Sequence, residues 1–176
     1  MSQYAHRNVI ESVDREGLLA AAAKGGADPA AIRTLKSHTV LERKFRHLNH
    51  IRDLPVHVLD EPVAVLGEDT GPNPAEAVLA ALGSCLSVGI HANAVVRRIP
   101  IRRLEVLLEG DINISAIWGI GDLSDKHLGF SAIRARVILE GDASREELAE
   151  IVAHADRWSP LTNTVRQPVP LRVVLD

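Results

Sequence analysis

The chain has 176 residues, 46% apolar, 24% charged and only 3% aromatic, with a formal net charge of -3. That length suffices for one compact domain with a sizeable core; the mild acidity leaves no basic footprint for nucleic acid, and so few rings offer little stacking surface for bases. A single cysteine excludes an internal disulfide and a cysteine-rich zinc site, and suits a reducing compartment. The first residues, Met1 to His6, show no basic segment followed by an apolar stretch. Helical runs look interrupted by polar residues short of the roughly 18 apolar positions a membrane span needs. The expectation is a cytoplasmic protein with neither membrane nor nucleic-acid partner.

Residues 8 to 36 read as a helical preface. Val9, Ile10, Val13, Leu18 and Leu19 share an apolar face, Gly25-Gly26 punctuates the run and Asp28-Pro29 restarts it. From His38 to Ala64 the pattern is strand-like, with Asp60-Glu61-Pro62 as a turn, and Gly67 to Gly71 forms a polar loop. Asn73-Pro74 opens a helix, an N-cap candidate followed by proline at the first helical position. Apolar residues all round it between Val78 and Ile90 predict a buried central helix, running to about Arg98. Gly83, Ser84, Ser87 and Gly89 would let a second backbone approach closely. Leu104 to Gly110 and Phe130 to Gly141 alternate as strands, with Ile133, Ala135, Val137 and Leu139 on one face. Asp142 opens a second helix, interrupted at Ser159-Pro160, and Val169 to Leu175 is expected to close the domain as a strand. This order makes one α+β domain with two principal helices.

Cys85 is the chemically informative residue. It sits in a helix of small and apolar residues, where a lone cysteine is either an inert small hydrophobe or, if its surroundings favour the thiolate, a nucleophile. The run Gly71-Pro-Asn-Pro-Ala-Glu, then Leu79-Ala-Ala-Leu-Gly-Ser-Cys85, two strands, a second helix and Ser159-Pro-Leu resembles the OsmC/Ohr family of osmotically inducible and organic hydroperoxide resistance proteins. The resemblance covers about residues 38 to 176, so residues 1–36 form an N-terminal extension and 37–176 the family domain. It implies an OsmC-like fold: two long central helices packed against antiparallel sheets in an intertwined homodimer, with sites at the subunit interface. The implied chemistry is reduction of organic hydroperoxides, in which one cysteine becomes a sulfenic acid and a second resolves it. By the same resemblance an arginine and a glutamate hold the thiolate and the peroxide oxygen.

Cys85 falls on the family's peroxidatic cysteine, but Ser159 stands where the second would be. Serine forms no disulfide, so a resolving thiol must come from an external partner. The family's glutamate position is Ala75. Glu76 follows, and nine residues before Cys85 it points to the other side of the helix, as a first-turn acid would. Arg43, Arg46 and Arg52 lie where the family's arginine arises, and Arg52 is chosen because it precedes the Asp53-Leu-Pro turn. The candidate site is therefore Cys85, Arg52 and Ser159, without cofactor or metal. His47 and His50, three apart, fall on opposite faces of a strand, and His91 lies about 120° round the helix from Cys85. The carboxylates Asp142, Glu146, Glu147 and Glu150 read as a solvated helix face. Three functions remain open: a one-cysteine hydroperoxide reductase, a thiol sensor, and a dimer that binds an apolar small molecule without catalysis.

Overall fold

A computed structural model describes residues 10–28, 30 and 32–175. Val9 and Pro29, which figured in the predicted preface, lie outside the described residues. One compact unit is Ala20–Ala80; the segments before and after it form the second.

The preface contains one helix, α1 (Arg15–Gly26), with no buried residue. The two glycines end it, each being about 1 kcal/mol poorer than alanine in a helix. Residues 32–37 carry no helix, so the restart expected at Asp28-Pro29 does not form a second helix among the described residues. Ahead of α1, the Ile10 amide donates to the Ile101 carbonyl at 2.7 Å, and Ile10 packs on the core.

Within residues 20–80, β1 (His38–Arg43), β2 (Arg46–His50) and β3 (His57–Leu59) form an antiparallel sheet in sequence order. His47 and His50 both lie on β2, hence on opposite faces as expected. After β3 the chain winds tightly around Asp60, whose side chain is fully buried. One carboxylate oxygen accepts from the Glu61 amide at 2.8 Å. The other accepts from the Glu68 and Thr70 amides at 3.3 and 3.2 Å and from the Thr70 hydroxyl at 2.8 Å. Gly67 is required in this loop, since a Cβ there would sit 1.7 Å from the Glu61 carbonyl oxygen.

The loop delivers the chain to α2 (Pro74–Val96). Asn73 and Glu76 form a reciprocal cap: the Asn73 amide donates to Glu76 Oε2 and the Glu76 amide to Asn73 Oδ1, each at 2.8 Å. Glu76 is thus the first-turn acid that its spacing from Cys85 suggested. The helix stops two residues before the expected Arg98, which takes a left-handed φ of 59°. There the Arg98 amide reaches the Val95 carbonyl and the Ile99 amide the Ala94 carbonyl, the paired bonds of a Schellman ending. By length and composition α2 is long and apolar enough to cross a membrane, which corrects the expectation that no run reaches that length. The same property marks a core helix, and Leu82, Leu86, Ile90 and Ala94 on it are buried. Burial is one-sided, however: Val78 and Val88 are exposed, because this chain covers only one face of the helix.

In the second unit, β4 (Ile101–Ile112) and β5 (Phe130–Gly141) pair antiparallel with Leu104 opposite Leu139, Val106 opposite Val137 and Leu108 opposite Ala135. The helix α3 (Arg145–Trp158) opens with a capping box between Ser144 and Glu147. Glu147 therefore caps rather than merely faces solvent, and those hydrogen bonds lower its pKa. Ile90, Ala94, Ile101, Ile151 and Ala155 make the core. After α4 (Pro160–Arg166) the expected closing strand is not formed: residues 168–175 carry no ladder, and Leu171 and Val173 are 87% and 84% exposed. Pro168 and Pro170 lack the amide donors a ladder needs, and among the described residues no strand of this chain pairs with the segment.

Candidate functional site

The site is assembled where α2 and α3 run close together. A Cβ on Gly89 would lie 3.2 Å from the Ala155 Cβ, so the absent side chain is what permits the approach. Gly89 is one turn after Cys85 and Ala155 one turn before Ser159. The next contact along is the pair itself. The Ser159 hydroxyl donates to Cys85 Sγ at 3.3 Å.

Ser159 is held for this. It ends α3 and caps α4, and its Oγ accepts the Thr162 amide at 3.1 Å. With its oxygen engaged by that amide, the hydroxyl proton is free to point at sulfur. Asn163 fixes the chain reversal: its side-chain amide donates to the Arg157 and Ser159 carbonyls at 3.0 and 2.8 Å. Ser159 is 4% exposed, whereas Cys85 is half-buried. The donor is thus more deeply buried than the residue it bonds.

The structure brings together two of the three predicted site residues, Cys85 and Ser159. Arg52 lies in the 20–80 unit, in the turn after β2, with a left-handed φ of 53°. Of its neighbours, Arg43 pairs with Glu42 and Glu68. Arg46 pairs with Glu42, and its guanidinium is the most enclosed of these, its side chain 19% exposed and its Nε buried without a partner. No group of three or more metal-ligating side chains occurs among the described residues. Thr162, Asn163 and Gly89 were not read from the sequence as site residues. The signal for the first was the spacing Ser159-Pro-Leu-Thr162, a cap with proline at the first helical position.

The fold is α+β, and it carries a half-buried thiol on a central helix with a serine hydroxyl on its sulfur. The sequence profile of OsmC-like proteins matches residues 67–174, more than half of the chain. The chain belongs to the OsmC-like protein family. Similar solved structures include an OsmC-like protein from Mycoplasma pneumoniae, 18% identical, with 77% of this chain and 89% of that chain covered and a TM-score of 0.65. An organic hydroperoxide resistance protein OsmC from Legionella pneumophila is 19% identical over 77% of this chain and 91% of that one, at a TM-score of 0.57. The organic hydroperoxide resistance protein OhrB of Bacillus subtilis is 20% identical over 77% and 93%, at 0.52. At these identities the likeness shows the fold. No curated protein sequence matches this chain.

Proposed function

We propose that this protein is a one-cysteine reductase of organic hydroperoxides that works as a cytoplasmic homodimer with an external thiol. The observation that carries the reading is the Ser159 hydroxyl on Cys85 Sγ at 3.3 Å, a donor at the position where the family's second cysteine is expected. In the first step the Cys85 thiolate attacks the outer peroxide oxygen, the O–O bond breaks, and an alcohol leaves after taking up a proton. Sulfur is oxidised to sulfenic acid. Two equivalents of an external thiol then return it to the thiol, releasing one disulfide and one water. Ser159 forms no covalent bond in this cycle; it holds the sulfur anion before the attack and bonds the sulfenate oxygen afterwards. Membership of a family that includes hydroperoxide resistance proteins supports the substrate class. The exposed apolar face of α2 at Val78 and Val88 and the unpaired segment 168–175 support a second copy as the partner.

For the arginine, Arg52 is the candidate from sequence, and Arg46 stands beside it because its buried Nε lacks a partner. An Arg52→Ala loss of at least about tenfold in the peroxide rate, with Arg46→Ala near wild type, assigns the role to Arg52; the reverse assigns it to Arg46.

The test is anaerobic single-turnover oxidation by cumene hydroperoxide, with Cys85 sulfenic acid trapped and measured by mass spectrometry. Stoichiometric conversion well above the rate of a free thiol, followed by turnover with a supplied dithiol, is the expected result. Conversion without turnover would mean a sensor. Reaction no faster than a free thiol would overturn the proposal.

A further inference from the structure

A cavity of about 490 Å³ opens between α2, the start of β5 and α4, within the range that small ligands fill. Its apolar wall includes Leu82, Leu86, Phe130, Ile133 and Val165, and Arg166 and Asp156 also line it. Neither Cys85 nor Ser159 is among its lining residues.

Two polar features interrupt the wall. Arg166 uses only Nη2 on Asp156, at 3.0 Å to each carboxylate oxygen. Its Nε and Nη1 have no partner among the described residues, and each can still offer a charge-assisted N–H to a carboxylate oxygen. Thr162 is 7% exposed and its buried hydroxyl has no hydrogen-bond partner, an arrangement that costs free energy until something satisfies it. Thr162 and Arg166 stand four residues apart on α4 and so share a face. An anionic group on the guanidinium lies one turn from that hydroxyl, which must turn toward it to donate.

We propose that this cavity binds a small amphiphilic carboxylate, its apolar body among Leu82, Leu86, Phe130, Ile133 and Val165 and its head on Arg166 and Thr162. Asp156 competes with the ligand for the guanidinium and repels its charge. That competition fixes the signs of two substitutions. Removing the cation weakens binding, while neutralising Asp156 strengthens it.

The experiment uses the full chain, methyl-labelled for NMR, titrated with decanoate and with 1-decanol as the uncharged comparison. Saturable shifts at the Leu82, Leu86, Ile133 and Val165 methyls are expected, with decanoate bound more tightly than decanol. Arg166→Gln should weaken decanoate about tenfold and leave decanol unchanged, the worth of one charge-assisted contact. Asp156→Asn breaks the same ion pair yet should tighten decanoate, so loss of the pair as a fold element cannot imitate the result. Thr162→Val should weaken it a few-fold, and Ala135→Trp, which fills the cavity from β5, should abolish both ligands. Cys85→Ser should leave binding unaltered, which separates failure here from failure of the peroxide chemistry. The inference is overturned by no saturable shift below about 1 mM, as when a second copy covers the mouth. It is overturned equally if Arg166→Gln and Asp156→Asn move the affinity in the same direction.

Discussion

Asp60 and Cys85 are both polar groups at the junction of a loop or helix with its surroundings, and the chain treats them oppositely. The Asp60 carboxylate is fully buried and receives four hydrogen bonds, three from backbone amides and one from a hydroxyl. The Cys85 sulfur receives one hydrogen bond among the described residues, and the residue is half-buried. A group whose acceptors are all filled from within the fold has nothing left to offer a substrate; it is a structural pin. A group given one well-held donor and an open side can still react. The difference separates structure from chemistry better than residue type does, since a buried carboxylate in a loop would otherwise attract a catalytic reading.

The sharpest way to break the comparison is to remove the two groups separately. Cys85→Ser should reduce the peroxide reaction to background while leaving the thermal midpoint nearly unchanged, because one heavy atom is exchanged for a smaller one at a half-buried position. A variant that still consumed cumene hydroperoxide at the wild-type rate would place the chemistry elsewhere. Asp60→Asn should do the reverse. It puts two N–H donors where amides already point, so the loop from Glu61 to Thr70 loses its centre and the thermal midpoint falls clearly, without direct effect on the sulfur.

Asp60 also gives a pH dependence with a defined sign. Burial pushes its pKa upward, but the Thr70 hydroxyl and the amides of Thr70, Glu61 and Glu68 outweigh that and hold it below its ordinary value of 3.8. A carboxylate depressed in the folded state contributes its full stability above the unfolded pKa, and the contribution is lost as pH falls through the folded value. Wild type should therefore lose stability steeply below about pH 4, and Asp60→Asn should flatten that slope. Chemical denaturation at pH 3 to 7 reads it; equal slopes in both proteins would remove Asp60 from the account.

Ser159→Ala comes next in size. The hydroxyl donates to Cys85 Sγ, which the proposed cycle makes an anion, and accepts the Thr162 amide. Losing a hydrogen bond to a charged acceptor should slow the peroxide step about tenfold. Losing the helix cap should cost about 1 kcal/mol of stability. Ser159→Thr, which keeps the hydroxyl, should recover much of the rate. Ser159→Cys sharpens the point: a thiol placed there should form a disulfide with Cys85 after one equivalent of peroxide, detected as loss of both free thiols. If it remains reduced while Cys85 is sulfenylated, the two sulfurs do not meet and the role read for residue 159 fails.

Much of the fold was legible because its signals are local. Asn73-Pro74 and Glu76 announced α2, and the alternation from Phe130 to Gly141 announced β5. The Cys85 motif pointed to the family that the profile over residues 67–174 bears out. What stayed hidden depends on tertiary company. The Asp60-Glu61-Pro62 turn carries no mark of how deeply Asp60 is buried. Val169 to Leu175 has strand chemistry, but a ladder needs a second strand, which this chain does not supply among its described residues. Ser159 was legible as a position in a motif, whereas its bond to the sulfur needed the close passage of α2 and α3 to be seen.

That close passage supplies the smallest and most discriminating effect. Gly89→Ala adds one methyl 3.2 Å from the Ala155 Cβ, tighter than ordinary contact, so the helices must part by a few tenths of an ångström. Alanine gains about 1 kcal/mol over glycine in a helix, and overpacking costs about 1–3 kcal/mol. Net stability should therefore change little, and it carries little information. The Ser159–Cys85 bond, one turn away along both helices, has no such compensation: at 3.3 Å it should lengthen as the helices part. The peroxide rate should drop about two- to threefold, less than half in free energy of the about tenfold loss in Ser159→Ala. In the double variant Gly89→Ala/Ser159→Ala the first substitution should have no further effect on rate, because the contact it disturbs is already gone. Additive losses would mean that Gly89 acts on Cys85 by another route than the spacing of α2 and α3.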